Sequence, residues 1–103
     1  MTHEQHAVVW PRSAKTVELA PLAARPDTLE NKRVAFLWDY LFRGDEIFPL
    51  IEQALAERFP GISFVGYKEF GTTHGAGEHE VLAGLAQKLK ELEVDAVVSG
   101  MGC

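Results

Sequence analysis

The sequence is poor in cysteine: Cys103 is the only one among 103 residues, which excludes an internal disulfide framework. One Cys with four scattered His also lacks the spacing of a structural zinc site. Basic charge is scarce too, with ten Lys and Arg against fifteen Asp and Glu, a formal charge of −5, and no basic run. That balance argues against nucleic acid and anionic membrane surfaces as partners. No apolar stretch approaches the roughly 18–20 residues of a membrane span. The start, Met1-Thr2-His3-Glu4-Gln5-His6, has neither the cationic opening nor the apolar stretch of a signal peptide, so a cytoplasmic protein is expected. Internal repeats and low-complexity tracts are absent.

What is present suits one small globular domain or part of a larger one: 47% hydrophobic and 24% charged residues, with 9 Gly and 5 Pro. A chain of this size buries only about 60–65% of the surface its unfolded form exposes, so its core is small. Residues 1–28 read as an irregular N-terminal extension, because Pro11, Pro21 and Pro26 punctuate them and no helical period persists. Within them, Ala7-Val8-Val9-Trp10 and Thr16-Val17-Glu18-Leu19 are short strand candidates suited to a sheet edge. The α/β domain is expected over 29–103.

Val34-Ala35-Phe36-Leu37-Trp38 is an unbroken apolar run, as expected of a central parallel strand covered on both faces. Arg43-Gly44-Asp45-Glu46 leads into a helix whose apolar face is Ile47, Leu50, Ile51, Ala54, Leu55 and Phe59, with Pro49 in the first turn and Pro60-Gly61 as the stop. Ile62 to Tyr67 has the β-branched and aromatic content of a second strand. A Gly-rich loop over 71–77 precedes a second helix from about Glu78, with Val81, Leu82, Leu85, Leu89 and Leu92 on one face. Ala96-Val97-Val98-Ser99 is a third strand, and Gly100-Met101-Gly102-Cys103 the turn leaving it.

The order β-α-β-α-β predicts a parallel sheet through right-handed crossovers. The most apolar strand belongs in the middle, which gives strand order 2-1-3 with one helix on each face. The expectation is a three-layer, Rossmann-like or flavodoxin-like α/β half domain, the N-terminal part of a longer domain.

Ligands in such folds bind outside the carboxyl ends of the strands. Three segments are expected there: 39–45, 68–77 and 99–103. Gly100 and Gly102 permit a tight turn by adopting positive φ, and they place Cys103 at the rim. Backbone amides of a following helix N-terminus would favour its nucleophilic thiolate; alternatively Cys103 is a buried small hydrophobe. Arg43 could clamp a carboxylate or phosphate with Asp39 or Asp45 orienting it, whereas a solvated Arg43 and an N-capping Asp45 explain the same residues. Thr72 and Thr73, among Gly71, Gly75 and Gly77, could cradle an anion, but the loop has neither a dinucleotide fingerprint nor a P-loop. His74 is an acid–base candidate. With His79, five residues on, it makes poor ligand spacing, so no metal is expected.

Two segments, Asp39-Tyr40-Leu41-Phe42-Arg43-Gly44-Asp45-Glu46 and Asp95-Ala96-Val97-Val98-Ser99-Gly100-Met101-Gly102-Cys103, resemble the UGSC family of selenoproteins and cysteine homologues, known for a Sec/Cys-Gly-Ser-Cys motif. The resemblance covers about residues 28–103. In that family the Gly-x-Gly turn is followed by one residue, then the redox-active selenocysteine or cysteine, then Gly-Ser-Cys. Cys103 stands either at the variable place or at the Sec/Cys place itself. In the first alignment the next codon would be the selenocysteine codon UGA, and the expectation is a selenoprotein chain ended there with its main catalytic residue absent; in the second, Cys103 is itself the reacting residue and only the partner cysteine is missing.

The resemblance implies thiol or selenol redox or nucleophilic chemistry, akin to selenoprotein components of glycine-type reductases. The expected function is accordingly that of an N-terminal part of a selenocysteine- or cysteine-dependent protein acting on a small anionic molecule. Cys103 would be catalytic, and Asp39, Arg43, Asp45, Thr72, Thr73, His74, Gly100 and Gly102 would line the substrate; no cofactor is expected. The alternative is a small α/β binding module or subunit whose open sheet edge is covered by a homo-oligomer contact or another partner chain.

Overall fold

The structure, a computed structural model, describes residues 18–101. Residues 18–28 are exposed and carry no helix or strand. The strand candidate at 7–10 lies outside the described residues; of that at 16–19, Glu18 and Leu19 are described and neither is in a strand.

Strand β1 (Arg33–Trp38) is followed by helix α1 (Gly44–Arg58), strand β2 (Ser63–Val65), helix α2 (Glu78–Glu91) and strand β3 (Ala96–Gly100). All three strands are parallel in the order β2-β1-β3, as the apolar run of β1 requires. The β1–β3 ladder runs from Val34 opposite Ala96 to Trp38 opposite Gly100. The β1–β2 ladder is shorter, from Arg33 opposite Ser63 to Ala35 opposite Val65. The stretch expected as a strand over 62–67 is cut short because Tyr67–Glu69 turns into a 3-10 helix.

Val34 to Trp38 are all buried, and their alternation divides the core. Ala35 and Leu37 pack with Phe70, Val65 and the α2 residues Leu85 and Leu89. Phe36 and Trp38 pack on the other face with Phe48 of α1, Ile51, Phe64, Tyr67 and Val98. One helix therefore covers each face, and the architecture is three-layer α/β.

Helix α1 begins earlier than its apolar pattern suggests. The Arg43 carbonyl accepts the Glu46 and Ile47 amides, both at 3.0 Å, so Gly44 is already helical and Pro49 falls in the second turn. Gly44 is required there: a Cβ would overlap the Trp38 indole. This contact sets the rotation of the helix. Phe48, absent from the expected apolar face, is its most buried large side chain at 2% exposure, while Leu50 is 65% exposed. On α2, Val81, Leu85 and Leu89 are half-buried as expected, but Leu82 is exposed.

Candidate functional site

The carboxyl end of β1 is where the loops meet. On the β2 side, Thr72 lies in a bridge beside Trp38, and the Thr73 amide donates to the Trp38 carbonyl at 3.2 Å. On the β3 side, the Asp39 amide donates to the Gly100 carbonyl at 3.2 Å. The three segments expected at this edge thus converge on residues 38 and 39 through backbone bonds.

Asp39 then joins two of them through its side chain. It is half-buried, and its Oδ1 accepts the Leu41 amide of its own loop and the Met101 amide at the exit of β3, each at 3.1 Å. A carboxylate acceptor makes both bonds stronger than neutral ones. The loop it anchors is unusual: Tyr40, Phe42 and Arg43 have φ of 64°, 57° and 53°. Non-glycine residues in this left-handed region cost free energy and persist only where surrounding contacts impose them. Here those contacts are the Asp39–Leu41 bond and the Trp38 Nε1–H donated to the Leu41 carbonyl at 2.8 Å.

An aromatic cluster borders the same edge, and nothing in the sequence reading singled it out. Tyr40 stacks on Trp38 with ring centroids 4.4 Å apart, and Tyr67 meets Trp38 edge-on at 4.8 Å and Tyr40 at 5.6 Å. Phe48 closes the cluster from below, 6.0 Å from Tyr67. Tyr40 is 46% exposed, so one apolar ring face belongs to the rim rather than the core. The signal was available as aromatic residues two apart, Trp38 and Tyr40, at the carboxyl end of a strand.

The other candidates are placed as follows. Arg43 is exposed and its guanidinium lies 3.8 Å from the carboxylate of Glu46, a neighbour the sequence expectation did not name. An exposed pair of this kind adds little to stability. Asp45 is exposed in the first turn of α1, one of two acids there with Glu46, and it is not the N-cap; that position is Arg43. The two acids complement the helix dipole.

Thr72 is half-buried, and its hydroxyl both donates to the His74 carbonyl at 2.6 Å and accepts the His74 amide at 3.1 Å, shaping the loop locally. Thr73 is half-buried, whereas His74 and His79 are exposed. Gly100 is the last residue of β3 rather than part of a turn, and it is not among the positive-φ glycines. Gly102 and Cys103 lie outside the described residues. Among the described residues no group of three or more His, Cys, Asp or Glu could hold a metal ion, and no helix is long and apolar enough to cross a membrane.

The opposite, amino end of the sheet carries an open depression of about 270 Å³ lined by Asn31, Arg33, Ser63, Glu93 and Asp95. Its groups serve the fold. The Asp95 carboxylate accepts the Arg33 amide at 2.9 Å, and the Arg33 guanidinium donates to the Leu92 carbonyl at 2.5 Å.

No curated protein and no solved structure matches the chain. The family model described as the UGSC family does match, over residues 7–103, taking in the α/β unit with its carboxyl edge and most of the segment before it. The chain therefore belongs to the UGSC family.

Proposed function

We propose that this protein supplies the α/β scaffold of a thiol- or selenol-dependent redox or nucleophilic reaction on a small anionic molecule, carried out at the carboxyl edge of the sheet. The observation that supports this most is the junction of Asp39, Gly100 and Met101 at the end of the β1–β3 ladder, because the chain leads from there directly to its single thiol. Membership of a family named for a selenocysteine- or cysteine-containing motif gives that thiol a chemical meaning. In this reading Cys103, as thiolate, is the nucleophile presented beside that rim. Arg43, Thr72, Thr73 and His74 supply the charge and hydrogen-bond groups of the rim, and Tyr40 supplies an apolar surface.

The test is the alkylation rate of the single thiol in the folded chain at pH 7, compared with free cysteine. An activated thiolate reacts about tenfold faster or more. A rate equal to or below that of free cysteine overturns the proposal.

A second reading has its own observation. Among the described residues strand β3 pairs only with β1, and Val97 on it is 41% exposed, so among them that sheet edge is open and partly apolar. Such edges invite pairing with another strand. In this reading the chain is a subunit that completes its sheet with a partner, and a slow thiol together with a stable dimeric mass in solution would favour it.

A further inference from the structure

We infer that Tyr40 is a stacking platform: its outer ring face takes a planar, unsaturated ring, so the small anionic molecule bound at this rim is an aromatic anion of the arylcarboxylate class. The anionic charge rests on the functional reading above. The preference for a flat ring rests on geometry alone.

Large aromatic side chains gain most by leaving water, so a ring held at the surface calls for a reason. Among the described residues only Tyr40 and Phe42 have exposed aromatic side chains, at 46% and 64%, and both belong to the loop after β1. Tyr40 is nevertheless packed on one side. It lies on the Trp38 indole with centroids 4.4 Å apart and planes 19° from parallel. Tyr67 is nearly perpendicular to both rings, 4.8 Å from Trp38 and 5.6 Å from Tyr40. Because Tyr67 is nearer to Trp38 than to Tyr40, it lies beside the stack and not on its outer end. The face of Tyr40 turned away from Trp38 is therefore not covered by the ring cluster, in keeping with the exposure of the residue.

The platform is fixed before any ligand arrives. Trp38 is buried and donates its Nε1–H to the Leu41 carbonyl at 2.8 Å, and the Leu41 amide donates to Asp39 Oδ1 at 3.1 Å, so bonds on both sides of Tyr40 hold its backbone. Tyr40 has φ of 64° and Phe42 of 57°, a region that glycine enters without strain and that bulky residues enter at a cost. Glycine makes a turn alone more cheaply; here the strained backbone carries a ring face toward solvent, and such strain concentrates at ligand sites. A ring already ordered by its neighbours loses little freedom when a second ring stacks on it. A puckered, saturated ring has no π face to offer in return, so the platform separates flat from puckered rings of equal charge and similar size.

The experiment is a nuclear magnetic resonance titration of the full chain with isotope-labelled tyrosine. The chain has 2 Tyr, Tyr40 and Tyr67, so the ring spectrum holds two sets of signals, which Tyr40→Phe assigns. Benzoate is compared with cyclohexanecarboxylate, which matches its charge and nearly its size without a flat face. The expected result is that benzoate binds at least about threefold more tightly and moves the Tyr40 signals upfield, as face-to-face stacking requires. Tyr40→Gly suits the positive φ and so keeps the loop, and it should bind the two carboxylates equally, whereas Tyr40→Phe retains the preference. Equal affinities in the parent chain, or no binding of either carboxylate, overturn the inference. So do shifts confined to Tyr67, or a Tyr40→Gly chain that still prefers benzoate. If Tyr40→Gly fails to fold, the parent comparison and the site of the shifts decide by themselves. A slow thiol with ring-selective binding removes the thiol chemistry and leaves the platform standing; a fast thiol with equal affinities removes the platform alone.

Discussion

The two faces of β1 are built from different materials. Toward α1 the core is mostly aromatic: Phe36, Trp38, Phe48, Phe64 and Tyr67, joined by Ile51, Val98 and Met101, with Phe36 and Phe48 centroids 5.0 Å apart and Trp38 and Phe48 nearly perpendicular at 84°. Toward α2 it is mostly aliphatic: Ala35, Leu37, Val65, Leu85, Leu89, Leu92 and Val94, with Phe70. Helix α1 buries Gly44 and Phe48, while α2 buries no residue fully. Rings pack with angular preferences that aliphatic chains lack, so the α1 face defines an orientation whereas the α2 face chiefly excludes water. The oriented face is also the one that continues, through Trp38 and Tyr40, to the carboxyl edge. Precision is concentrated where the candidate site needs it.

Three substitutions sharpen this contrast. Phe48→Ala should cost most, about 3–5 kcal/mol, since it empties a fully buried ring site at the centre of the aromatic cluster. Chemical denaturation reads it, together with loss of the near-ultraviolet dichroism of the Trp38 stack; a loss below about 1 kcal/mol would mean the cluster does not anchor α1. Gly44→Ala should come next at about 1–3 kcal/mol, because the added methyl must displace the Trp38 indole. In an exposed helix the same change would stabilise, so the sign of the shift in midpoint is the check. Leu89→Ala on the aliphatic face should cost less than Phe48→Ala, about 1–2 kcal/mol, because Leu89 is only half-buried in the folded state. Equal losses at Phe48 and Leu89 would break the distinction between the two faces.

Much of the architecture was legible in the residues. Five consecutive apolar side chains can be satisfied only where both faces of a strand are covered, which is why β1 was expected at the centre and is found there. The rotation of α1 was legible in part: Ile47, Ile51, Leu55 and Phe59 are half-buried as their spacing predicts, whereas Leu50 and Ala54 are exposed and Phe48 is buried. Ile47, Phe48, Leu50 and Ile51 offer apolar groups in more than one direction, so periodicity leaves two phases close in energy. Contact between Gly44 and Trp38 chooses the phase that buries Phe48 and exposes Leu50. Asp39 was visible as a carboxylate at a strand end, but its tie to Met101 was not, since nothing local relates residues 62 apart.

The sequence by itself determined the element order, the centrality of β1 and the family, because these follow from the burial demands of each run and from two motifs read along the chain. Only the tertiary structure decided the final turn of α1 that buries Phe48 and exposes Leu50, that Trp38, Tyr40 and Tyr67 stack at the carboxyl edge, and that Asp39 joins the loop after β1 to the exit of β3. The physical reason is one of range. Burial and turn chemistry act on neighbours along the chain, whereas ring geometry and a shared carboxylate act on whatever the folded sheet brings within a few ångströms.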